Sequence, residues 1–155
     1  MNDPLVELVE RVTKATGPDR ILDRDLCLAL NYIAYSPSPL NLRPSEDDDA
    51  EWLDYEIVED GKLVDCSDRA PELTGSTDAS LALSEAKLPG WAWFVQKIEG
   101  VPSRAPQKDC VADLWLPAVK TQGLRVERAT ADAATPPLAI ILALLRALSS
   151  QEAAK

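Results

Sequence analysis

A helix that is apolar on nearly every side is the sequence feature that most constrains the fold. Thr135 is placed to cap it, Pro136 takes its first position, and the residues from 138 to 148 are almost all apolar. Its longest apolar run, residues 138–145, is much shorter than the roughly 18 residues that a bilayer span requires. Such a helix must therefore be covered by other elements of the protein. The polar tail, residues 149–155, is expected to fray.

Three further helices are predicted from apolar spacing and helix-end residues. Pro4 opens the first, in which positions 5, 8, 9 and 12 form one apolar stripe. Gly17-Pro18 ends this helix, and Asp19 can cap a second one, so that the two form a helical hairpin. The third helix is predicted over residues 78–86, with Ser76 or Thr77 as its cap.

The remaining apolar segments predict antiparallel strands. Tyr55–Val58 and Lys62–Cys66 flank Asp60-Gly61, a dipeptide that supplies the positive φ of a type I′ turn, so a β-hairpin is expected, with acidic residues that suit a sheet edge. Three more strands are expected over residues 91–98, 110–116 and 124–128. Residues 36–49 are expected to form an exposed loop. The predicted fold class is α+β, with a small antiparallel sheet of three to five strands packed between helix layers and about four helices.

The net charge of −10 is distributed unevenly along the chain. Residues 41–72 contain twelve acidic and three basic residues, whereas residues 73–155 contain eight acidic and nine basic ones. We expect a single domain over residues 1–155, within which the acidic loop and hairpin of residues 41–72 form a sub-segment, the acidic segment. The negative charge repels phosphate backbones and argues against direct nucleic-acid binding through a basic patch.

Several function classes are disfavoured by composition. The chain has no histidine, which excludes Ser-His-Asp triads and zincin-type metal sites. Cys27, Cys66 and Cys110 form no Cys-x-x-Cys pair, so they are interpreted as isolated buried thiols rather than as disulfide or zinc residues. With no catalytic or cofactor motif, we expect no enzymatic activity, no cofactor and no metal. The first residues carry no basic leader, and the expectation is a soluble cytoplasmic protein without membrane contact.

Three sets of capping and turn residues occur in an order that covers most of the chain: residues 15–23 (ATGPDRILD), residues 73–79 (LTGSTDA) with residues 88–91 (LPGW), and residues 134–139 (ATPPLA) with residues 145–147 (LRA). Together they are similar to the phage ABA sandwich domain family. The resemblance implies a layered fold with a small antiparallel sheet between helices, encoded by a bacteriophage or prophage. It implies no activity, because the function of that family is unknown. The chain departs from the family at Asn31-Tyr32, where a Gly-Trp pair often ends the second helix, and in its unusually acidic residues 41–72.

The leading candidate for a binding site is a run of five acidic residues: Glu46, Asp47, Asp48, Asp49 and Glu51. Clustered carboxylates present the potential that a DNA-binding groove is shaped to receive, so this run could occupy a basic cleft of a host protein. The simpler interpretation is a solvated loop. A cation site is disfavoured because the run lacks the glycine and terminal glutamate of a calcium loop.

Aromatic residues supply a second candidate. Trp91, Trp93 and Trp115 lie on neighbouring predicted strands, where exposed rings could stack on a flat ligand. Because both faces of the first of these strands look covered, packing in the core is the preferred interpretation. The helix start at Thr135 could instead hold an anion on its free amides.

Two carboxylate pairs are the only remaining catalytic candidates. Asp23 with Asp25, and Asp109 with Asp113, carry no recognisable signature, and no apolar pocket is predicted that would shift the pKa of either member of the first pair.

Two functions from different classes remain. The first is a phage accessory protein that binds a host protein through the acidic segment. The alternative is a protein that binds a nucleotide or metabolite in a pocket between the sheet and the helices. The charge distribution favours the first, and the sequence defines neither the partner nor the oligomeric state.

Overall fold

Four helices and six strands make up the described part of the chain, which in this computed structural model comprises residues 4–34, 41–45, 55–67, 70–98, 108–117 and 127–154. In chain order they are α1 (Pro4–Lys14), α2 (Arg20–Leu30), β1 (Asn41–Pro44), β2 (Tyr55–Glu59), β3 (Lys62–Ser67), α3 (Thr77–Lys87), β4 (Ala92–Lys97), β5 (Cys110–Trp115), β6 (Arg128–Ala133) and α4 (Pro136–Ala153). The α+β class with about four helices is confirmed. The strands divide into two antiparallel sheets of three.

Side-chain caps begin three of the helices, as the sequence predicts. Asp19, Ser76 and Thr135 each accept a hydrogen bond from the backbone N–H three residues later, at 2.9, 3.2 and 3.5 Å. Asn31 ends α2 in the left-handed region, with φ of 46°. Local capping chemistry therefore sets these boundaries.

The first sheet has the order β1-β2-β3. Its β2–β3 hairpin turns at Asp60 and Gly61, whose φ values of 50° and 74° are those of the predicted type I′ turn. Two expectations are corrected. Residues 41–44, expected to be loop, form β1, and β2 is a central strand rather than an edge. β2 accommodates the buried Glu56 because Arg43, directly opposite on β1, donates a hydrogen bond of 2.6 Å to its carboxylate.

The second sheet has the order β4-β5-β6. Its third strand, predicted over residues 124–128, overlaps the observed β6 (Arg128–Ala133) only at Arg128; Glu127 is described outside the strand, and residues 124–126 lie outside the described residues. Three alternate alanines of β6 are buried: Ala129, Ala131 and Ala133. Alanine is depleted in strands, and Thr130 is the only β-branched residue of this strand, which has no aromatic residue, so its composition gives a weak strand signal.

The helix α4 lies against the second sheet and also against α1 and α3. Ten of its residues are buried, which confirms that the apolar helix is covered by the rest of the protein. The small alanines of β6 leave room for its bulky side chains to pack against the sheet. The helix continues to Ala153, so it includes most of the polar tail.

Candidate functional site

The five acidic residues of the predicted binding site all lie outside the described residues: Glu46, Asp47, Asp48, Asp49 and Glu51. What the structure describes of the acidic segment is its three-stranded sheet. Within that sheet, Glu56 is buried and bonded to Arg43, so its charge is not available to a partner at the surface.

The tip and outer strand of the β2–β3 hairpin form an exposed surface that combines acidic and apolar side chains. We name it the hairpin surface: Glu59, Asp60, Leu63 and Val64. Leu63 and Val64 are 50% and 53% exposed. Adjacent strand residues normally point to opposite faces, but the pairing with β2 shifts by one residue at Val64, a β-bulge on the outer strand.

Sequence reasoning missed these two apolar side chains. A signal was present, because two adjacent apolar residues on a strand cannot both face one core. Leu63 and Val64 lie on an edge strand of the sheet, so no further strand within the described part of the chain covers them.

The tryptophans are placed differently from one another. Trp91 is partly buried against the core, as preferred from the sequence, whereas Trp93 and its neighbour Phe94 are exposed. Trp91 and Trp93 line a crevice between the end of α3 and the second sheet whose volume is about 10 Å³. This is at most the space of one water molecule, so this crevice is not the ligand pocket expected between sheet and helices.

The face of the second sheet opposite α4 carries a closed polar cluster. Arg128 donates two hydrogen bonds to Asp113, one of them from Nε at 2.8 Å, and the Thr130 hydroxyl donates a third at 3.0 Å. These bonds from Arg128 hold the pKa of Asp113 below its ordinary value. Since both charges are satisfied within the cluster, it ties β5 to β6 across the strands and leaves no free group for catalysis.

A second candidate is a groove among the helices, which we name the helical groove: Leu5, Leu30, Lys87, Leu148, Gln151 and Glu152, with Pro4 and Ala29 at its side. Its volume is about 490 Å³. The Lys87 ammonium donates a hydrogen bond to the Asn31 carbonyl at 3.4 Å, and partial burial lowers the pKa of this lysine. The groove thus combines apolar walls with one cation, Lys87, and one carboxylate, Glu152.

Two segments that carry the family resemblance meet in a buried junction. The Asp19 backbone N–H donates to the Thr74 hydroxyl at 2.8 Å, and the Thr74 N–H donates to the Asp23 carboxylate at 2.7 Å. Arg20 bonds both that carboxylate, at 2.8 Å, and the Ala70 carbonyl, at 2.5 Å. The junction therefore fastens the start of α2 to the turn before α3, which is a structural role.

Asp23 differs from its sequence-based interpretation. It is fully buried, and this burial raises its pKa above the ordinary value despite the bonds from Thr74 and Arg20. Asp25 is instead partly exposed and forms an ion pair with Arg11 at 2.7 Å. The two carboxylates are bound by different groups, so they do not form a catalytic pair.

The geometry also argues against two other sites predicted from the sequence, the Asp109–Asp113 pair and the anion site at the start of α4. Asp109 and Asp113 are separated by four residues of extended chain, about 13 Å, which is too far for a shared reaction. At the start of α4 no amide is left for an anion: Pro136 and Pro137 have no N–H, and the next two amides bond to Thr135. The anion hypothesis for this helix start is therefore wrong.

No group of three or more metal-ligating side chains occurs within the described ranges. Cys27 and Cys110 are buried and form no disulfide, and burial raises the pKa of Cys110. The side chain of Cys66 is not among those described. Of the described helices, none has both the length and the apolar character needed to cross a membrane.

Comparison with models of known protein families, with curated proteins and with solved structures finds no match for this chain. Functional inference therefore rests on its own residues.

Proposed function

We propose that this protein is a phage or prophage accessory protein that acts by binding a basic surface of a host protein through the acidic segment, with the hairpin surface as part of the contact. The observation that carries the proposal is the exposed pair Leu63 and Val64, which lies beside the exposed acids Glu59 and Asp60 at the hairpin tip.

Protein interfaces combine an apolar centre with a polar rim, and adjacent exposed apolar side chains are one mark of such a site. On the hairpin surface the two apolar side chains supply the centre and the acids supply part of the rim. The excess of acidic residues between positions 41 and 72 would attract a basic partner and accelerate its association. A host surface that normally binds nucleic acid has the complementary charge.

The phage source rests on the resemblance of the three sequence motifs. Two of them pack on each other at Asp19 and Thr74, and the third caps α4. These structural roles are those expected of motifs that specify a fold. The binding surface is then formed by other residues, such as those of the acidic segment.

The test replaces Leu63 and Val64 by serine in the full chain. The matched control replaces Val6 and Ile21, which are 54% and 62% exposed on α1 and α2, by serine. Host proteins captured by each variant are identified by mass spectrometry, and the purified partner is then titrated at low and high salt. We expect the first variant to bind at least about tenfold more weakly and the control to bind normally. Both should keep the melting temperature within a few degrees, because exposed substitutions change stability by about 0.5 kcal/mol.

A second arm changes Asp47, Asp48 and Asp49 together to asparagine. We expect an unchanged melting temperature and loss of the same partner, together with weaker binding by the native protein as salt is raised. Capture of the same partners by both variants at native levels would show that the acidic segment is not the contact surface.

A further inference from the structure

The helical groove has the size of a small-molecule site. Its volume of about 490 Å³ falls in the range of roughly 300–1,000 Å³ that is usual for ligand pockets. Its walls come from the start of α1 and the ends of α2, α3 and α4, and their principal apolar side chains are Leu5, Leu30 and Leu148. An aliphatic group in the groove would therefore contact apolar side chains.

Among the described residues, Lys87 is the one basic residue that lines the groove. An ammonium group carries three donors, and within the described residues the only hydrogen bond from Lys87 is the 3.4 Å contact with the Asn31 carbonyl. No described carboxylate lies within ion-pair distance of this ammonium, and the lysine is only partly buried. The ammonium therefore has donors to offer an anion.

We infer that the helical groove binds a small aliphatic monocarboxylate, whose carboxylate accepts hydrogen bonds from Lys87 and whose chain lies against Leu5, Leu30 and Leu148. A charge of −1 matches the single ammonium. Glu152 at the same groove repels a doubly charged anion such as phosphate more strongly than a singly charged one, and an uncharged chain would not pair with the ammonium. The helical groove shares no residue with the hairpin surface, so this inference does not rest on the proposed function.

The experiment titrates the full chain, labelled with ¹⁵N, with octanoate and follows the backbone amide resonances. Three control ligands are used. Acetate lacks the long aliphatic chain, 1-octanol lacks the charge, and inorganic phosphate has no chain and carries more than one negative charge near pH 7. We expect octanoate to shift the amides at the start of α1 and the ends of α2, α3 and α4, and to bind at least about tenfold more tightly than the other three.

Three variants test the role of the lysine. Lys87→Met keeps the aliphatic stem and removes the charge, Lys87→Arg keeps a cation, and Lys62→Met removes an exposed lysine of β3 as the control. We expect octanoate affinity to fall about tenfold or more in Lys87→Met, the loss typical of one hydrogen bond to a charged group, and to remain within about threefold in the other two. Unchanged amide resonances around the groove, equal binding of 1-octanol, or unaltered affinity in a folded Lys87→Met variant would each overturn the inference.

Discussion

Two carboxylates of this protein respond to their surroundings in opposite directions. Hydrogen bonds from Arg128 lower the pKa of Asp113, whereas burial raises that of Asp23. The stabilising contribution of Asp113 is present above its unfolded-state pKa, about 3.9, and is lost as the pH falls through the lower pKa of the folded state. The contribution of Asp23 is complete below about pH 3.9 and is lost as the pH rises through its raised pKa in the folded protein.

Asparagine at each position removes the titration and nearly preserves the shape. The free energy of unfolding in urea is measured at pH 7, 5, 3 and 2 for both single variants and the native protein. We expect the advantage of native over Asp113→Asn to shrink below about pH 4, and the stability of native relative to Asp23→Asn to improve as the pH falls from 7 to 3. An asparagine at position 23 still offers an oxygen to the Thr74 N–H. Differences that do not vary with pH would contradict these assignments.

At the scale of elements, the sequence predicts helices and the tight hairpin well, because their signals are local. Caps at Asp19 and Thr135 and the turn at Asp60-Gly61 act within a few residues of chain. The sequence does not predict β1, and it predicts only the first residue of β6, since pairing partners determine both strands: β1 is four residues long, and β6 is rich in alanine. Their strand structure depends on contacts with distant segments, which propensity does not describe.

The hairpin turn gives a direct test at this scale. Gly61 has φ of +74°, and a Cβ added there would meet no atom within 4 Å, so alanine would be strained by its backbone alone. We expect Gly61→Ala to lower the free energy of unfolding by about 1–2 kcal/mol. Gly17 is equally open but does not have a positive φ, and Gly17→Ala is expected to be neutral or slightly stabilising. Equal effects of the two substitutions in urea denaturation would contradict the turn geometry.

At the scale of the whole molecule, the two candidate surfaces differ in how far the sequence could predict them. The hairpin surface is local, since Leu63 and Val64 are adjacent in a segment already identified by its charge. The helical groove brings Leu5, Lys87 and Leu148 together from opposite ends of the chain. Only the packing of four helices creates it, and no spacing in the sequence encodes that packing.

The packing around α4 predicts that the protein unfolds cooperatively. Its buried side chains belong to one continuous core that includes residues of all four helices and both sheets. Leu142, fully buried in the middle of α4, should lose about 2–5 kcal/mol of stability when changed to alanine, because the cavity cannot fully collapse. The exposed Ile21 is the control, with an expected change of about 0.5 kcal/mol or less on replacement by alanine.

Because one core joins all the elements, the loss of stability in Leu142→Ala should affect the unfolding of the whole molecule. Unfolding is followed by far-ultraviolet circular dichroism, which reports mainly on the helices, and by tryptophan fluorescence, to which Trp93 and Trp115 of the second sheet contribute. We expect the two urea midpoints to coincide in the native protein and to move together in Leu142→Ala. A shift confined to one signal would mean that the helices and the second sheet unfold separately, and that α4 does not couple them.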